Sequence, residues 1–352
     1  MTDGIIEIAK SSLEEGTSIL LIYTGGTFGM VFDQKGQLIP FNFSNVLDRL
    51  PELHKLDLNI SLLSFKEPVD SSNISIPHWQ EMARLIYENY NGFDGFVVLH
   101  GTDTMAYSAS VISFMLEGLR KPVIFTGAQI PIGATRSDAR ENLITALEIA
   151  SQQSNGRSVV QEVCIFFNHL LLRGNRSQKV RSSNFGAFES ENYPVLAEAG
   201  VDITFNAAYL YRPTEEKLQF HNQLDNRIAL LKVFPEMHMG AVEAIVDSGV
   251  HCLIMESFGS GNVMSDPSFM KILEKAIADE IIVLNVSQCV GGNVIHGKYQ
   301  TSAILRKIGV VSGHDMTTEA ALAKGMHLLA HEDNRNEVLS KLQIPLRGEL
   351  TI

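Results

Sequence analysis

Residues 18–27 have the sequence SILLIYTGGT, and residues 95–104 have the sequence GFVVLHGTDT. In both stretches a short apolar run leads into a turn of small and hydroxyl residues, which is typical of a buried strand followed by a ligand-binding loop. Glycine lets the backbone turn tightly and brings its N–H groups close to a bound molecule. The two stretches therefore predict strands whose loops each present a threonine at the carboxyl edge of one sheet.

Strand-like and helix-like segments alternate outward from these two stretches. The predicted strands are 58–65, 123–126, 163–167, 228–234, 251–255 and 281–286, and the predicted helices include 77–91, 105–119, 137–151, 267–277 and 317–329. This alternation predicts an α/β fold with mainly parallel sheets covered by helices on both faces.

The length of 352 residues suits two domains. The alternation breaks around residues 207–225, where tyrosines, Pro213 and a charged patch occur. We therefore expect a larger N-terminal α/β domain that carries the two threonine loops (residues 1–206), a linker (207–225) and a smaller C-terminal α/β domain (226–352).

Composition limits the partners. The formal net charge of −12 argues against nucleic acid or an anionic membrane surface, and no apolar stretch approaches membrane-spanning length. Residues 1–16 lack the basic start and apolar middle of a secretory signal, so we expect a cytoplasmic protein. Three cysteines without disulfide or zinc spacing predict neither a disulfide framework nor a zinc site. A small-molecule ligand fits best.

Four segments that follow predicted strands should meet at the carboxyl edge of the first sheet: 24–27, 70–73, 101–104 and 126–129. Together they offer hydroxyls, two carboxylates and backbone N–H donors, with no obligatory metal. A threonine hydroxyl is a weak nucleophile and needs a base or a favourable field. Lys179, in the sequence RGNRSQK, is a candidate for that role.

Each of these features also has a purely structural interpretation. TGGT can be a phosphate cradle or a plain strand exit, Asp103 can cap the helix that begins at Met105, and Lys179 can be a surface lysine. His100, before a tight turn, fits a hydrogen-bonded structural residue better than a base. Only the joint occurrence of these features, in order and after strands, favours a catalytic site.

Taken together, TGGTFGM, DSSN, GFVVLHGTDTMAYSAS, KPVIFTGAQIP, RGNRSQK and LRGELT resemble the motifs of bacterial type I L-asparaginases. The resemblance runs from about Ser18 to the C-terminus. It implies a two-domain α/β amidohydrolase that converts L-asparagine to L-aspartate and ammonia without a cofactor. It also implies a homotetramer built as a dimer of dimers, in which each active site is completed by a neighbouring subunit.

The resemblance implies roles for individual residues. Thr27 would be the nucleophile that forms the acyl-enzyme, while Lys179 and Asp103 would tune Thr102 to activate the water for deacylation. Backbone N–H near Thr102 would form the oxyanion hole. The substrate-binding residues implied are Asp70, Ser71, Ser72, Thr102, Asp103, Ala128 and, donated across the dimer, Asn262.

Two positions depart from the family pattern. Leu38 stands where the lid loop usually carries a tyrosine that helps move the proton of the nucleophile. Glu256 stands where some type I members have an arginine that binds an allosteric asparagine, so substrate-driven allostery is not expected, although Asn285 and Cys289 match that region.

Two other functions use the same motifs. One is the ammonia-releasing subunit of a tRNA-dependent amidotransferase, which would need an additional N-terminal module and a partner. The short segment before the first strand and the acidic charge disfavour it. The other is a non-catalytic amino-acid-binding module, which the missing lid tyrosine favours.

Overall fold

The computed structural model describes residues 4–13, 16–32, 38–40, 50–214, 217–297 and 300–352, with the backbone alone at 30–32, 38–40 and 300–301. The chain divides into two compact units, Met1–Asn222 and Gln223–Ile352. Each has its own sheet with helices packed against it, and parallel pairing dominates the centre of the first sheet and all of the second. The predicted fold class is confirmed.

Among the described residues of the first unit, nine strands form the main sheet. In spatial order they are Ile6–Ala9, Asn59–Val69, Ser18–Gly25, Gly95–Leu99, Val123–Thr126, Val163–Phe167, Leu170–Arg173, Ala197–Ala199 and Ile203–Phe205. The central five are parallel and the edge strands are antiparallel. Every residue of Gly95–Leu99 is buried, as expected for a parallel strand covered on both faces.

The first unit has three α-helices in its described part, Ile76–Asn89, Met105–Met115 and Ala139–Ser151. In the last of these, Leu143, Leu147 and Ala150 are buried against the sheet, which is the face that the sequence predicts. The described residues of this unit also form four short antiparallel pairs: Met30–Phe32 with Leu38–Pro40, Leu116–Glu117 with Gln219–Phe220, Gln153–Ser154 with Arg157–Ser158, and Gln178–Lys179 with Phe188–Glu189.

The helix predicted over 105–119 ends earlier, at Met115, because Leu116–Glu117 pairs as a strand with Gln219–Phe220. A contact between the ring nitrogen Nε2 of His221 and Oε2 of Glu117, 2.7 Å long, reinforces this pairing. Gln219–Phe220 lies in the segment predicted as a linker. The domain boundaries themselves stay a prediction.

The second unit is a smaller parallel sheet with helices against it. Its described strands, in spatial order, are Ile228–Lys232, Cys252–Ser257, Ile282–Ser287 and Val311–Ser312. Its described helices are Met239–Val246, Pro267–Ala278, Gln300–Ile308, Thr318–His331 and Arg335–Leu342. The chain end is held by a fully buried ion pair between Lys324 and Glu349. None of the helices described in either unit is long and apolar enough to cross a membrane.

Candidate active site

Glycine turns bring three of the four predicted loops into direct contact. Gly26 has φ +84°, and a Cβ at this residue would lie 2.5 Å from the backbone N and Cα of Gly101. A Cβ at Gly101 would lie 2.5 Å from Oγ of Ser71. Only residues without a side chain permit such close approach. Thr27 and Thr102 each directly follow a residue of this contact, so the loops of the two threonines lie against each other.

The fourth loop joins the same edge through its backbone. The carbonyl of Gly127 accepts a hydrogen bond from Nδ2 of Asn142 (2.9 Å), and the N–H of Gln129 donates to the carboxylate of Asp138 (3.0 and 3.1 Å). A Cβ at Gly127 would overlap the carbonyl oxygen of His100. The predicted meeting of the four loops, with Ala128 buried among them, is therefore what the structure shows.

Thr102, Asp103 and Lys179 form one hydrogen-bonded group. The ammonium Nζ of Lys179 donates to Oγ1 of Thr102 over 2.8 Å and to Oδ1 of Asp103 over 2.6 Å. Thr102 is 7% exposed and the Lys179 side chain is 14% exposed, whereas the Asp103 side chain is 67% exposed. The purely structural interpretation of Lys179 as a surface residue is wrong. Asp103 keeps much of its carboxylate available for a ligand.

Lys179 is positioned by the buried sequence before it. Arg173 pairs with Glu162, the distance from its Nε to Oε2 being 2.6 Å, and both side chains are buried. The backbone carbonyl of Arg173 accepts a hydrogen bond from Oγ of Ser177 over 2.6 Å. This bond fixes the turn Gly174–Arg176 that leads to Lys179. Nothing in the local sequence marks Glu162 as the partner of Arg173, so this buried pair is visible only in the fold.

Thr27 begins a short 3-10 turn, Thr27–Gly29, and is partly buried. The buried phenol of Tyr23 lies under this turn, since a Cβ at Gly29 would overlap its hydroxyl oxygen. Burial raises the pKa of Tyr23 to about 12, so the phenol stays protonated at neutral pH. Leu38 lies in the strand Leu38–Pro40, but its side chain and residues 33–37 are outside the described part, so its effect on the lid stays a prediction.

Asp70, Ser71 and Ser72 form a tight turn beside Gly101. The Asp70 carboxylate accepts the N–H of Ser72 over 3.0 Å, and the Ser71 carbonyl accepts from Oγ1 of Thr104 over 2.7 Å. Ser71 is buried, while Asp70 and Ser72 are exposed. The turn thus presents a carboxylate and a hydroxyl outward on a fixed backbone.

His100 is a structural residue. Nε1 of Trp79 donates to Oγ of Ser108 (2.8 Å), which leaves the Ser108 hydroxyl to donate to Nε2 of His100 (2.9 Å); Nδ1 then donates to the carbonyl of Gly101 (2.7 Å). Burial lowers the pKa of His100 to about 4, so the ring is neutral. Its hydrogen bonds hold the backbone that precedes Thr102.

In the second unit, Asn262 closes a turn that begins at Phe258, and the two residues are bridged through their backbones. Nδ2 of Asn285 supports this turn by donating to the carbonyl of Gly261 over 3.2 Å. The Glu256 carboxylate is occupied within the unit, accepting from Oγ1 of Thr318 (2.6 Å) and facing Nζ of Lys232 (3.3 Å). The participation of Asn262 in a shared site stays a prediction.

Comparison with known proteins agrees with this geometry. Residues 18–211 match the family model described as asparaginase, N-terminal, and residues 227–340 match the glutaminase/asparaginase C-terminal domain. L-asparaginase 1 of Escherichia coli strain K12 is 38% identical over 336 residues, covering 95% of this chain and 98% of that protein. The crystal structure of L-asparaginase I from Vibrio cholerae superimposes with a TM-score of 0.87 at 38% identity, covering 96% of this chain and all of that one.

A more distant relative bears on the alternative function. One component of the glutamyl-tRNA(Gln) amidotransferase of Methanopyrus kandleri is 31% identical over 352 residues, covering 95% of this chain but 75% of that protein. The two family models together extend over most of the chain, in the order and at the positions of its two units. The loops, the lysine-linked threonine and both matched domains make this chain a member of the asparaginase family.

Proposed function

We propose that the protein hydrolyses the side-chain amide of free L-asparagine to L-aspartate and ammonia, with L-glutamine a poorer substrate. The observation that carries the proposal is the group formed by Lys179, Thr102 and Asp103, with Nζ 2.8 and 2.6 Å from its two partners. It lies at the edge where the Thr27 loop contacts the Thr102 loop. Two hydroxyls and a lysine at one site suit a two-step amide hydrolysis.

In the first step the hydroxyl oxygen of Thr27 attacks the amide carbon. The carbon–nitrogen bond breaks, the proton given up by the Thr27 hydroxyl ends on the leaving nitrogen, and ammonia departs, leaving an ester on Thr27. Backbone N–H near Thr102 stabilises the oxyanion, and the Ala128 carbonyl accepts from the amide NH₂. Thr27 is suited to this role because its turn is fixed between the Gly26–Gly101 contact and the Tyr23 phenol.

In the second step a water attacks the ester carbon and releases aspartate and the Thr27 hydroxyl. Thr102 orients this water, because its oxygen is buried and is held by the Lys179 ammonium. Asp103 keeps Lys179 in place and offers its exposed oxygen to the substrate ammonium. Splitting the hydrolysis in this way replaces one difficult step with two easier ones.

Substrate orientation comes from the turn at Asp70, Ser71 and Ser72, which holds the α-amino and α-carboxylate groups. Fixing both groups places the amide carbon in near-attack geometry, which accounts for much of the rate gain in such sites. The partner subunit's Asn262 completes the pocket in a homotetramer of intimate dimers, acting in the cytoplasm.

The test is ammonia release by purified protein given L-asparagine or L-glutamine, with initial rates checked for sigmoidal dependence on substrate. We expect hydrolysis of asparagine that is lost in Thr27→Ala. Binding of asparagine without ammonia release would identify a non-catalytic module instead. Transfer RNA or a second protein that copurifies with the chain would favour the amidotransferase function.

A further inference from the structure

Gln129 is a second residue, besides Lys179, whose side chain contacts the hydroxyl of Thr102. Its Oε1 lies 3.4 Å from Oγ1 of Thr102, and its Nε2 lies 2.9 Å from the carbonyl oxygen of Asn184 and 3.4 Å from that of Ser182. The side chain thus joins Thr102 to the loop that follows Lys179. The roles assigned above leave this residue without a function.

The orientation of the Gln129 amide follows from its partners. Carbonyl oxygens only accept hydrogen bonds, so the NH₂ group must face Asn184 and Ser182, and Oε1 must face Thr102. The starting point of the side chain is fixed as well, because its own N–H and that of Ile130 donate to the carboxylate of Asp138. Gln129 therefore presents an acceptor to Thr102 from a rigid support.

This acceptor determines where the Thr102 proton lies. Oγ1 has one proton and two lone pairs. Lys179, as an ammonium held by Asp103, has only N–H donors and occupies one lone pair. Oε1 of Gln129 only accepts, so the proton of Thr102 points to it. The remaining lone pair is left to accept from a water molecule.

We propose that Gln129 is a positioning residue that holds the Thr102 hydroxyl as an acceptor toward the hydrolytic water. The inference rests on the proposed function, because the water belongs to the deacylation step. The Thr102–Gln129 contact of 3.4 Å is longer than an ordinary O–H···O bond of about 2.8 Å. At this length the contact is a weak hydrogen bond, so Gln129 orients the Thr102 hydroxyl and does not bind it tightly.

Two substitutions distinguish the contact of Gln129 with Thr102 from its contact with the Asn184 loop. Gln129→Met has a side chain of similar length but removes both the oxygen that accepts from Thr102 and the NH₂ group that donates to Asn184. Gln129→Glu keeps an oxygen that can accept from Thr102 but cannot donate to Asn184. We expect kcat for asparagine to fall about tenfold in Gln129→Met, as for loss of one hydrogen bond, with a smaller change in KM. Gln129→Glu should retain clearly more of kcat. Equal losses in both variants would overturn the proposal, since the loop link alone would then explain them.

Gln80→Met is the matched control. Nε2 of Gln80 also donates to a backbone carbonyl, that of Asn222 at 2.8 Å, within the same unit but on the surface helix Ile76–Asn89. This variant should keep the kcat and KM of the unchanged protein. A similar loss of kcat in Gln80→Met would overturn the proposal, because the effect would not be particular to Thr102.

Neutron diffraction of deuterium-exchanged crystals of the unchanged protein tests the same inference without turnover. We expect the deuteron of the Thr102 hydroxyl on the line to Oε1 of Gln129, and three deuterons on Nζ of Lys179. A deuteron pointing from Thr102 to Nζ would overturn the proposal whether or not the protein hydrolyses asparagine. Failure of the proposed function would instead appear as absent ammonia release with the deuteron at Gln129.

Discussion

Lys179 shows how one side chain changes the chemistry of its neighbours. Its Nζ contacts a buried hydroxyl and an exposed carboxylate, so removing the ammonium leaves both without their charged partner. We expect Lys179→Met to lower kcat by at least about a hundredfold, the scale of lost acid–base assistance, with folding intact. Steady-state kinetics with circular dichroism measures both.

The control for Lys179→Met is Lys121→Met. Lys121 is also partly buried, and its Nζ donates to the carbonyls of Tyr90 (2.7 Å) and Phe93 (2.6 Å), away from the candidate site. This variant should lose stability but keep its kcat. If Lys179→Met turned over asparagine at the unchanged rate, Lys179 would be a structural residue.

Substitution of Thr27 and substitution of Thr102 are expected to block different steps of the hydrolysis. Thr27→Ala should reduce ammonia release by at least about a thousandfold, because no acyl-enzyme can form. Thr102→Val keeps the shape of a buried side chain but removes the oxygen that orients the water. We therefore expect the variant to form the acyl-enzyme but to hydrolyse it very slowly. Rapid-mixing measurement should then show one burst of ammonia equal to the number of sites. A full-rate steady state in either variant would reassign its role.

At the scale of residues, the sequence identified the groups that belong to motifs and missed those that act by contact. Thr102 and Asp103 stand in one motif, and Lys179 stands in another that a resemblance can match. Gln129 lies within the motif KPVIFTGAQIP, but its contacts with Thr102 and Asn184 join residues 27 and 55 positions apart. Such pairings depend on the folded backbone, and local sequence has no signal for them.

The strand-end turns are elements that make the site possible. Gly26 combines a positive φ of +84° with direct backbone contact to Gly101. A side chain at this position would strain its own backbone and would also overlap the backbone atoms of Gly101. We expect Gly26→Ala to lose most activity and to lower the free energy of unfolding by more than the roughly 1 kcal/mol that a left-handed conformation costs alanine. Kinetics and urea unfolding measure the two effects.

Gly249→Ala is the control for the turn. Gly249 has nearly the same φ, +86°, but nothing lies within 4 Å of the position of its Cβ. This variant should lose only the stability due to strain and keep its activity. Equal losses of stability in the two variants would mean that the backbone of Gly101 moves aside, contrary to a rigid contact between the loops.

The elements themselves follow the sequence closely where a local period defines them. The central strands and the helix Ala139–Ser151 agree with their apolar patterns. In a buried parallel strand and in an amphipathic helix, the order of apolar and polar residues indicates which positions are buried. The end of the helix Met105–Met115 does not agree with its pattern, because Leu116–Glu117 is drawn into a strand by residues 219–220, about a hundred positions away. Pairing at that separation has no local pattern.

For the whole molecule, a buried neutral histidine makes stability depend on pH. Burial lowers the pKa of His100 from 6.5 to about 4, so the unfolded chain binds this proton at a higher pH than the folded chain. Its stabilising contribution is complete above pH 6.5 and is lost as the pH falls toward 4, and about 2 kcal/mol of it has been lost by pH 5. The lowered pKa of His296 acts in the same direction.

The check on this pH dependence is the difference between the free energies of unfolding at pH 7 and pH 5, measured with urea. His100→Gln should reduce that difference by about 2 kcal/mol, since glutamine does not titrate. The overall loss of stability in this variant does not affect the comparison, because only the change with pH is used. An unchanged difference would show that His100 can be protonated without unfolding.

A site that is shared between subunits can form only when two chains assemble, so its activity depends on the oligomer. If the partner subunit's Asn262 completes each pocket, a Thr27→Ala chain still donates Asn262 and an Asn262→Ala chain still supplies Thr27. Hybrid dimers of these two inactive chains would then contain one intact site. Random equal mixing makes half of the dimers hybrid, so about a quarter of full activity should return after coexpression. If Asn262 served its own chain, both sites of every hybrid would lack one residue, and no activity would return.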